Sequence, residues 1–467
     1  MMPPKETRCA EGRGRPEGEP REKAGVRTQS RVTLPPNLAR VNEAARRDKS
    51  TRFTALLHHV DVGALERAFR RLKRNAAPGV DGETAASYEV DLAQNLHRLH
   101  AQVHSGRYRA QPVRRVYIPK ADGGQRPLGV TALEDKIVQS AVAEVLSAIY
   151  EVDFLGFSYG FRPGRSPHQA LAALHTACMT QYVNWVLDAD VRNFFGSVDH
   201  EWMLRMVAHR IADRRILRLI RGWLRAGVME GQQWSETEQG TPQGSGISPI
   251  LANIFMHYAL DLWVHQWRKR NAQGRVIIVR YCDDFVMGFQ YEAEAQRMLA
   301  NLKERLAKFK LALHEQKTRL IEFGKLVSEL RRKRGADRCE TFTFLGFTHY
   351  CAWSRDGRFV VKRRTDHQRL TRKLKELRVE ARRRMHTPMA LQYRWLCSVL
   401  RGHFAYFGLP SNLGRINAFY QETRRLWYRA LNRRSQRRLS WERYAWLLER
   451  FPLPTPSITH PRPVVAC

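Results

Sequence analysis

The sequence predicts an α+β protein that continues into a basic, all-helical region. Between residues 53 and 361, short apolar runs typical of strands alternate with segments of helical periodicity and with turns rich in Gly, Pro and Asp. Past residue 361 the pattern is helical only, and residues 362–438 hold 21 Lys and Arg against four acids. With 467 residues and 43% hydrophobic content, the chain is long enough for two or three domains with cores of their own.

The net charge indicates the class of partner. The chain carries 80 Lys and Arg against 45 Asp and Glu, which gives a formal charge of +35. This excess repels itself unless a polyanion neutralises it, and protein contacts with nucleic-acid phosphates are driven by counterion release. A membrane surface is the competing partner, but no stretch approaches the roughly 20 apolar residues of a spanning helix. We therefore expect nucleic acid as the partner and no membrane.

Cysteine usage and the N-terminus indicate the compartment. The seven cysteines are widely scattered and never spaced as Cys-x-x-Cys. This distribution favours reduced thiols over a disulfide framework or a zinc finger. The N-terminus lacks the apolar core of a signal peptide. We expect a cytoplasmic protein.

The first elements follow from composition and periodicity. Residues 1–50 are rich in Arg, Glu, Pro and Gly and nearly free of aromatics, which predicts a disordered basic tail. Apolar residues recur at helical spacing over 53–75. Residues 113–118 alternate like a strand and lead into a hairpin-type turn at 120–124, and residues 133–150 predict an apolar helix.

The basic region past residue 361 predicts a three-helix unit with a basic exterior. Its apolar residues form helical stripes around Leu370–Ala381 and Leu413–Leu431, the second after a predicted cap at Ser411 or Asn412. The strongest basic cluster, in the segment 431–438, consists of Arg433, Arg434, Arg437 and Arg438. For any single arginine, a solvated helix face is the alternative interpretation.

The most informative segment is Tyr281-Cys282-Asp283-Asp284, which lies between two apolar runs. Two strands joined by so short a turn predict a hairpin with adjacent carboxylates at its tip. A fixed pair of carboxylates on a strongly basic protein favours a bound divalent cation. The alternative is that Asp-Asp is simply a favourable turn sequence.

A second carboxylate cluster precedes the hairpin. Residues 185–190 predict a strand that ends at Asp190, and Asp188 shares its face because strand side chains alternate. The spacing alone does not choose between the two aspartates. Three carboxylates grouped in this way suit two Mg²⁺ ions that activate a 3′ hydroxyl and stabilise a leaving pyrophosphate. The alternative is that Asp190 caps the next turn.

Two further elements are weak alone. The loop Gly240–Pro249 has three glycines that allow close approach by a ligand, and its end at Ser248 predicts a helix start. Lys120 and Arg126 flank the predicted hairpin turn and suit a triphosphate. In isolation, an exposed basic turn is the simpler interpretation of these two cations.

Together and in this order, the elements resemble the reverse transcriptases encoded by group II introns. The resemblance extends over about residues 53 to 455. The matching segments are Gly79–Gly82, Ile118–Leu128, Ser158–Ser166, Asp190–His200, Thr241–Gly244, Tyr281–Asp284, Glu315–Thr318 and Phe344–Phe347. Gly196, where the family often has Asp, and Cys282, where it more often has Ala, depart from the pattern.

The resemblance implies a role for each matching residue. Asp190, Asp283 and Asp284 would be the catalytic, metal-binding residues for two Mg²⁺ ions, with Asp188 as a structural neighbour. The Val191 carbonyl would complete one metal site. The expected nucleotide contacts are Lys120 and Arg126 on the triphosphate, Gln243 in the nucleotide pocket and Phe194 under the sugar, where a ring disfavours a 2′ hydroxyl.

The resemblance also implies the architecture and the partners. We expect a right-hand polymerase fold with fingers and palm over 51–361, and a helical thumb and maturase-specific RNA-binding region over 362–467 that includes Arg433, Arg434, Arg437 and Arg438. No endonuclease domain is expected. The implied partners are group II intron RNA, an RNA template with a DNA primer, deoxynucleoside triphosphates and target DNA, in a bacterial cytoplasm and nucleoid-associated at most.

The implied function is RNA-directed DNA polymerisation together with help in intron splicing and mobility. Two alternatives stay open at this point. One is a maturase that folds intron RNA and polymerises little, although RNA folding does not require the carboxylates. The other is a related reverse transcriptase recruited to phage defence or sequence diversification.

Overall fold

The computed structural model describes residues 35–119, 124–230, 233–235, 239–240, 244–335 and 339–461. It is a mixed α and β structure with three antiparallel or mixed sheets and helices packed around them. None of the helices in this described part of the chain combines the length and apolarity needed to cross a membrane.

A helical layer forms the N-terminal part. It consists of α1 (Pro36–Arg47), a 3₁₀ turn (Leu57–His59), α2 (Val62–Arg71), α3 (Ala85–Val90), α4 (Leu92–Ser105) and α5 (Leu133–Tyr150). Helix α5 matches the predicted apolar helix 133–150 and is the buried centre against which α1 and α2 pack. The predicted helix over 53–75 is shorter, because the Asp61 side chain caps α2 by accepting from the Ala64 amide.

Helix α1 corrects the predicted disordered tail. Residues 36–47 are helical because Leu38, Val41 and Ala45 form one buried stripe that packs on the core. The Asn42 side chain also donates to the Ala148 carbonyl of α5 at 2.7 Å. Three buried residues were too few to stand out in a segment dominated by Arg, Glu and Pro. Residues 1–34 lie outside the described residues.

The first sheet contains the predicted cationic hairpin. Its strands, in the order β2-β1-β4-β5, are β1 (Val113–Pro119), β2 (Gln125–Val130), β4 (Val228–Glu230) and β5 (Gln233–Ser235). Strands β1 and β2 pair antiparallel, with Ile118 opposite Arg126, as the hairpin prediction requires. Lys120 and the tip of this hairpin lie outside the described residues.

The second sheet carries the acidic segments. Its order is β6-β7-β3-β8, and the strands are β3 (Trp185–Asp190), β6 (Val276–Tyr281), β7 (Asp284–Phe289) and β8 (Arg319–Glu322). All neighbours are antiparallel. The prediction of a hairpin at 276–287 and of a strand ending at Asp190 is therefore confirmed by the structure.

Several helices surround this sheet. They are α6 (Pro167–Thr180), α7 (Phe194–Ser197), α8 (His200–Ala208), α9 (Arg214–Arg225), α10 (Ser248–Met256), α11 (Leu262–Arg270) and α12 (Glu292–Ala307). Helix α10 begins at Ser248 as predicted, and a π-helical segment, His257–Asp261, joins it to α11. A π-helical turn widens the helix locally, and such turns are frequent at functional sites.

The third sheet and the last helices form the C-terminal part. Helix α13 (Lys325–Lys333) precedes a sheet of β9 (Phe342–Phe344), β10 (Phe347–Trp353) and β11 (Phe359–Thr365), and four helices follow. These are α14 (His367–Arg383), α15 (Met389–Phe407), α16 (Leu413–Asn432) and α17 (Trp441–Arg450). They enclose a hydrophobic core separate from that of the sheets.

Two details differ from the sequence prediction here. The predicted domain boundary after residue 361 falls inside β11, so the helical region begins with α14. Asn412 precedes α16 without a side-chain cap bond. It is buried instead, and its side chain accepts from the Thr365 amide and donates to the Thr365 hydroxyl, both at 2.8 Å. Asn412 thereby ties α16 to the end of β11.

Candidate active site

The two acidic segments meet edge to edge in the second sheet. In the β3–β7 pairing, Asp190 lies directly opposite Asp284. Asp284 in turn pairs with Tyr281 across the hairpin, so that Cys282 and Asp283 form its two-residue turn. Cys282 adopts a left-handed backbone with φ of 62°, which is uncommon for a residue other than glycine and fits a tight turn. Of the predicted trio, Asp190 and Asp284 therefore lie on adjacent strands, and Asp283 lies in the turn directly before Asp284.

The structure distinguishes Asp188 from Asp190. The Asp188 side chain is 17% exposed and lies 3.8 Å from Arg319, whereas the Asp190 side chain is 37% exposed and lies 3.2 Å from Lys317. Asp190 is at the strand end, beside the hairpin turn. Of the two aspartates that spacing alone left open, Asp190 is the one a ligand can reach.

The backbone around Asp190 is fixed by the segment before β8. The His314 amide donates to the Asp190 carbonyl, and the Arg192 amide donates to the Ala312 carbonyl, both at 2.8 Å. Val191 forms an isolated bridge with Leu313 between these two bonds. Because both neighbours of Val191 are held in this way, the Asp190 carboxylate projects from a backbone that is secured on two sides.

Burial and mutual repulsion make ionisation of the carboxyl groups at this site unfavourable. Burial, followed by repulsion from Asp188, Asp283 and Asp190, raises the pKa of Asp284 to about 8 against the opposing effect of Arg369. Burial also raises the pKa of Asp188 to about 6, with Arg319 opposing and Asp190 contributing. A bound cation relieves this kind of repulsion, because it favours the ionised carboxylates.

The donor set suits a divalent cation, although the side chains are not yet gathered around one. Carboxylate oxygens are the ligands that hard cations such as Mg²⁺ prefer. In the described part of the chain, no three His, Cys, Asp or Glu side chains lie close enough together to hold a metal ion. The strand register brings the backbones of Asp190 and Asp284 together, so rotation of their side chains is the movement that binding requires.

The raised pKa of Asp284 gives a test without nucleic acid. Between pH 3.8 and about 8, folded Asp284 keeps a proton that the unfolded chain has lost, so its contribution to stability falls as pH rises. We expect Asp284→Asn to raise the free energy of unfolding at pH 8 by about 2 kcal/mol in chelator, and by less at pH 5. Urea unfolding at both pH values measures this. Exposed Asp356→Asn is the control, and a lower stability of Asp284→Asn at pH 8 would contradict the prediction.

A buried arginine anchors the acidic hairpin. Arg280 and Asp261 are both 0% exposed and form a two-point ion pair, from Nε to Oδ1 at 2.7 Å and from Nη2 to Oδ2 at 2.5 Å. Arg280 Nη1 donates to the Asn253 side chain at 3.1 Å and to the Cys282 carbonyl at 2.8 Å, and Nη2 donates to the Ser158 hydroxyl at 2.7 Å. All five N–H donors of the guanidinium are therefore used.

This network joins three parts of the chain beneath the turn. Asp261 ends the π-helical segment, and Asn253 of α10 donates to the Gly160 carbonyl at 2.7 Å. Gly160 lies so close to the turn that an added Cβ would be 2.4 Å from the Cys282 amide nitrogen. Neither Arg280 nor Asp261 is among the residues predicted from the sequence. The only local signal was a single arginine inside a strand that is otherwise apolar.

The nucleotide contacts implied by the resemblance are only partly visible. Lys120 and Gln243 lie outside the described residues, and the Arg126 side chain is not described although its backbone lies in β2. The end of the Gly-rich loop lies against β2, since a Cβ on Gly244, whose φ is +112°, would be 2.9 Å from the Gly129 carbonyl. The loop and the cationic hairpin are therefore neighbours, as a shared nucleotide site requires.

Phe194 does not lie where the resemblance predicts it, under the sugar of a nucleotide. Its side chain is 2% exposed and packs in the core, with its ring centroid 6.1 Å from that of Phe255. The adjacent Phe195, whose ring centroid is 5.2 Å from that of Phe194, is only partly buried. The predicted RNA contacts Arg433, Arg434, Arg437 and Arg438 are all exposed, at the end of α16 and in the turn that follows.

Residues 118–349 match the family model described as reverse transcriptase (RNA-dependent DNA polymerase). This span contains both acidic strands and the hairpin turn. These residues are a domain of the reverse transcriptase family. Reverse transcriptases generally use divalent metal ions and act on nucleic acids, in keeping with the carboxylates and with the charge of +35.

Three relatives with significant sequence similarity are informative. The chain is 35% identical to protein YkfC of Escherichia coli over 47% of its own length and 66% of the relative's. It is 34% identical to the group II intron-encoded protein LtrA of Lactococcus lactis, over 44% of its own length and 34% of the relative's. It is 36% identical to an uncharacterized 91 kDa protein in the cob intron of Schizosaccharomyces pombe, over 41% of its own length and 23% of the relative's. The chain thus spans between 23% and 66% of the length of these relatives.

Proposed function

We propose that this chain is the RNA-directed DNA polymerase of a group II intron, which copies RNA into DNA and binds intron RNA to assist splicing and mobility. The observation that carries the proposal is the register that sets Asp190 opposite Asp284, beside Asp283, inside a reverse transcriptase domain. The similarity to a group II intron-encoded protein and to a protein of the cob intron supports the intron part of the proposal.

In this proposal Asp190, Asp283 and Asp284 hold two Mg²⁺ ions. When bound, these ions activate the primer's 3′ hydroxyl and stabilise the charge on the leaving pyrophosphate. Arg280 anchors the turn that carries Asp283 and Asp284, and the His314 amide holds the backbone of Asp190. The carboxylates therefore need no backbone movement to reach a substrate. Lys317, now 3.2 Å from Asp190, would exchange this carboxylate for a phosphate oxygen of the substrate.

The incoming deoxynucleoside triphosphate is assigned to the cationic hairpin and the Gly-rich loop. Lys120 and Arg126 would bind the triphosphate, and Gln243 would line the nucleotide pocket. The closeness of Gly244 to Gly129 supports a single site formed by these two segments. The Val191 carbonyl would serve as a further metal ligand.

For the sugar contact we propose Phe195 in place of Phe194, since only Phe195 has ring surface available. Phe195→Ala is expected to raise incorporation of ribonucleotides relative to deoxynucleotides by about tenfold to a hundredfold, because the 2′ hydroxyl would then fit. Single-nucleotide insertion kinetics measure this ratio. Phe194→Ala is the matched control, with a loss of about 3–5 kcal/mol in stability and an unchanged ratio. The reverse pattern would restore Phe194 as the sugar contact.

The proposed architecture is a right-hand polymerase. Fingers and palm would extend from about residue 51 to the end of β11, and the helices from α14 onward would form the thumb and the maturase-specific RNA-binding region. Its other partners would be an RNA template with a DNA primer, and target DNA during mobility. The five cysteines within the described residues are free thiols, which supports a cytoplasmic location.

Primer extension by the purified protein tests the proposal. The assay uses an annealed RNA template and DNA primer with Mg²⁺ and deoxynucleotides, alongside binding and splicing assays on a group II intron transcript. Extension on RNA supports the polymerase, and faster splicing supports the maturase role. Tight intron binding without extension would instead favour a splicing factor that polymerises little.

A further inference from the structure

A groove of about 290 Å³ between α14 and α16 has four arginines on its walls. Arg378 and Arg382 come from α14, and Arg429 and Arg433 come from the end of α16. Leu426, Ala430 and Asn432 complete the lining. Within this lining the arginines are the only charged groups, so the groove is a concentrated positive site.

The arrangement is unfavourable without an anion. On each helix the two arginines are four residues apart, where side chains are neighbours and like charges repel. None of the four has a carboxylate partner among the residues that the structure describes. The acids of the same helices are used by other cations instead, since Glu376 pairs with Arg372 and Lys373, Glu380 with Arg383 and Arg384, and Glu422 with Arg425.

The two arginine pairs lie on helices that are packed firmly against each other. Leu426 and Ala430 are buried on α16, and Leu377 and Ala381 are buried on α14, next to Arg378 and Arg382 in sequence. The two helices pack against each other along this seam. The four guanidinium groups are therefore exposed on two helices whose spacing is fixed by the core, and little ordering is needed when an anion binds.

Guanidinium chemistry selects the ligand. Arginine presents a planar fork of N–H donors that matches the two oxygens of a phosphate, and it stays charged at every physiological pH. Four such groups that line one open groove suit consecutive phosphates of a chain. A single small anion would leave most of their charge unbalanced.

We propose that this groove is a binding site for the phosphodiester backbone of a nucleic acid. The proposal rests on the proposed function for the choice of a nucleic acid as ligand. The phosphates come either from the template–primer duplex being copied or from a separately folded RNA. Of the basic cluster predicted from sequence, only Arg433 belongs to the groove, and its partners Arg378, Arg382 and Arg429 were not identified because they are distant in sequence or unremarkable on a helix rich in arginine.

The test compares two variants with the same loss of charge. The groove variant carries Arg378→Gln, Arg382→Gln, Arg429→Gln and Arg433→Gln. The control variant carries Arg372→Gln, Lys373→Gln, Arg383→Gln and Arg425→Gln, which removes four cations that have carboxylate partners on the same two helices. Fluorescence anisotropy gives the Kd of each full-length protein for a 20-base-pair RNA–DNA duplex and for a group II intron transcript, from 50 to 400 mM KCl.

We expect the groove variant to bind at least one probe about tenfold or more weakly near physiological salt, and the control variant to change by less than about threefold. The slope of log K against log salt should fall by about 3 in the groove variant, since each lost phosphate contact accounts for roughly 0.7 to 0.9. Weaker binding of the duplex assigns the groove to the copied strands, and weaker binding of the transcript alone assigns it to a separately folded RNA. Equal behaviour of the two variants on both probes would overturn the proposal.

Two further measurements separate the possible failures. Thermal unfolding should show that the groove variant is folded, because the change removes repulsion on exposed helix faces, and the pairs Arg378→Gln/Arg382→Gln and Arg429→Gln/Arg433→Gln should each show part of the effect. Primer extension by the unaltered protein tests the polymerase separately. Its absence, with the difference in binding retained, would reject the polymerase and leave the groove as a nucleic-acid site.

Discussion

Replacing Asp283 and Asp284 together by alanine is expected to lower the rate of primer extension at least about a thousandfold, because metal ions bound there supply several kcal/mol of charge stabilisation and each 1.36 kcal/mol is a factor of ten. The two residues occupy the tip of the hairpin, and Asp284 lies opposite Asp190 across β3 and β7. The double variant removes two of the three proposed carboxylate ligands without touching the Arg280 network beneath the turn. Single-turnover extension of an RNA-templated primer measures the rate.

Affinity for the template–primer provides the second measurement in this experiment. The variant should bind the duplex within about threefold of the unaltered protein, because the phosphate contacts that drive nucleic-acid binding come from cations elsewhere. Asp356→Ala, in the exposed turn between β10 and β11, is the control for the loss of an acid and should leave the rate unchanged. Extension by the double variant within about tenfold of the unaltered protein would remove these aspartates from the chemistry.

The acidic hairpin and the strand before it could be predicted because their signals are local. Apolar runs on both sides of Tyr281–Asp284 define a hairpin without knowledge of the rest of the fold, and the side-chain alternation of a strand places Asp188 and Asp190 on one face. Helix α5 could be predicted for the same reason, since eighteen residues of apolar periodicity leave few alternatives. The choice of Asp190 required the register with β7, which is a long-range property.

The remaining features depend on contacts between distant segments. The 21 basic residues of 362–438 look alike by composition. In the structure they include both groove arginines and arginines with carboxylate partners, and this difference depends on how α14 packs on α16. Helix α1 is stable because of what it packs against, and Phe194 and Phe195 differ only in which ring the core covers. These features depend on tertiary contacts, so local sequence patterns do not predict them.

Arg280→Met is expected to lower the free energy of unfolding by about 3–5 kcal/mol, because it leaves the Asp261 carboxylate buried without its partner. Asp261→Leu should destabilise the protein by a similar amount for the converse reason. Combining the two changes removes both buried charges, so the double variant should regain most of this stability. Urea unfolding of the four proteins completes a double-mutant cycle.

The Arg280→Met/Asp261→Leu double variant should not regain primer-extension activity when it regains stability. In the double variant the Cys282 carbonyl, the Ser158 hydroxyl and the Asn253 side chain all lack the donor that Arg280 gave them. Because Cys282 holds a left-handed conformation between the strands that carry the aspartates, loss of this bond should loosen the turn. We expect extension to stay about tenfold or more below that of the unaltered protein at a temperature where both are folded.

The ion pair between Arg210 and Asp153 is the matched control, since it is also buried and joined at 2.7 Å but contacts residues 45 and 51 instead of the hairpin. The double variant Arg210→Met/Asp153→Leu should show the same recovery of stability over its single variants, with extension close to that of the unaltered protein. Full activity in the Arg280→Met/Asp261→Leu variant would make the Arg280 network a stabilising ion pair without influence on the turn that carries Asp283. Loss of activity in the Arg280→Met/Asp261→Leu variant, but not in the Arg210→Met/Asp153→Leu control, would show that the Arg280 guanidinium positions the aspartates. The fold would then tolerate the removal of this group, whereas the reaction would not.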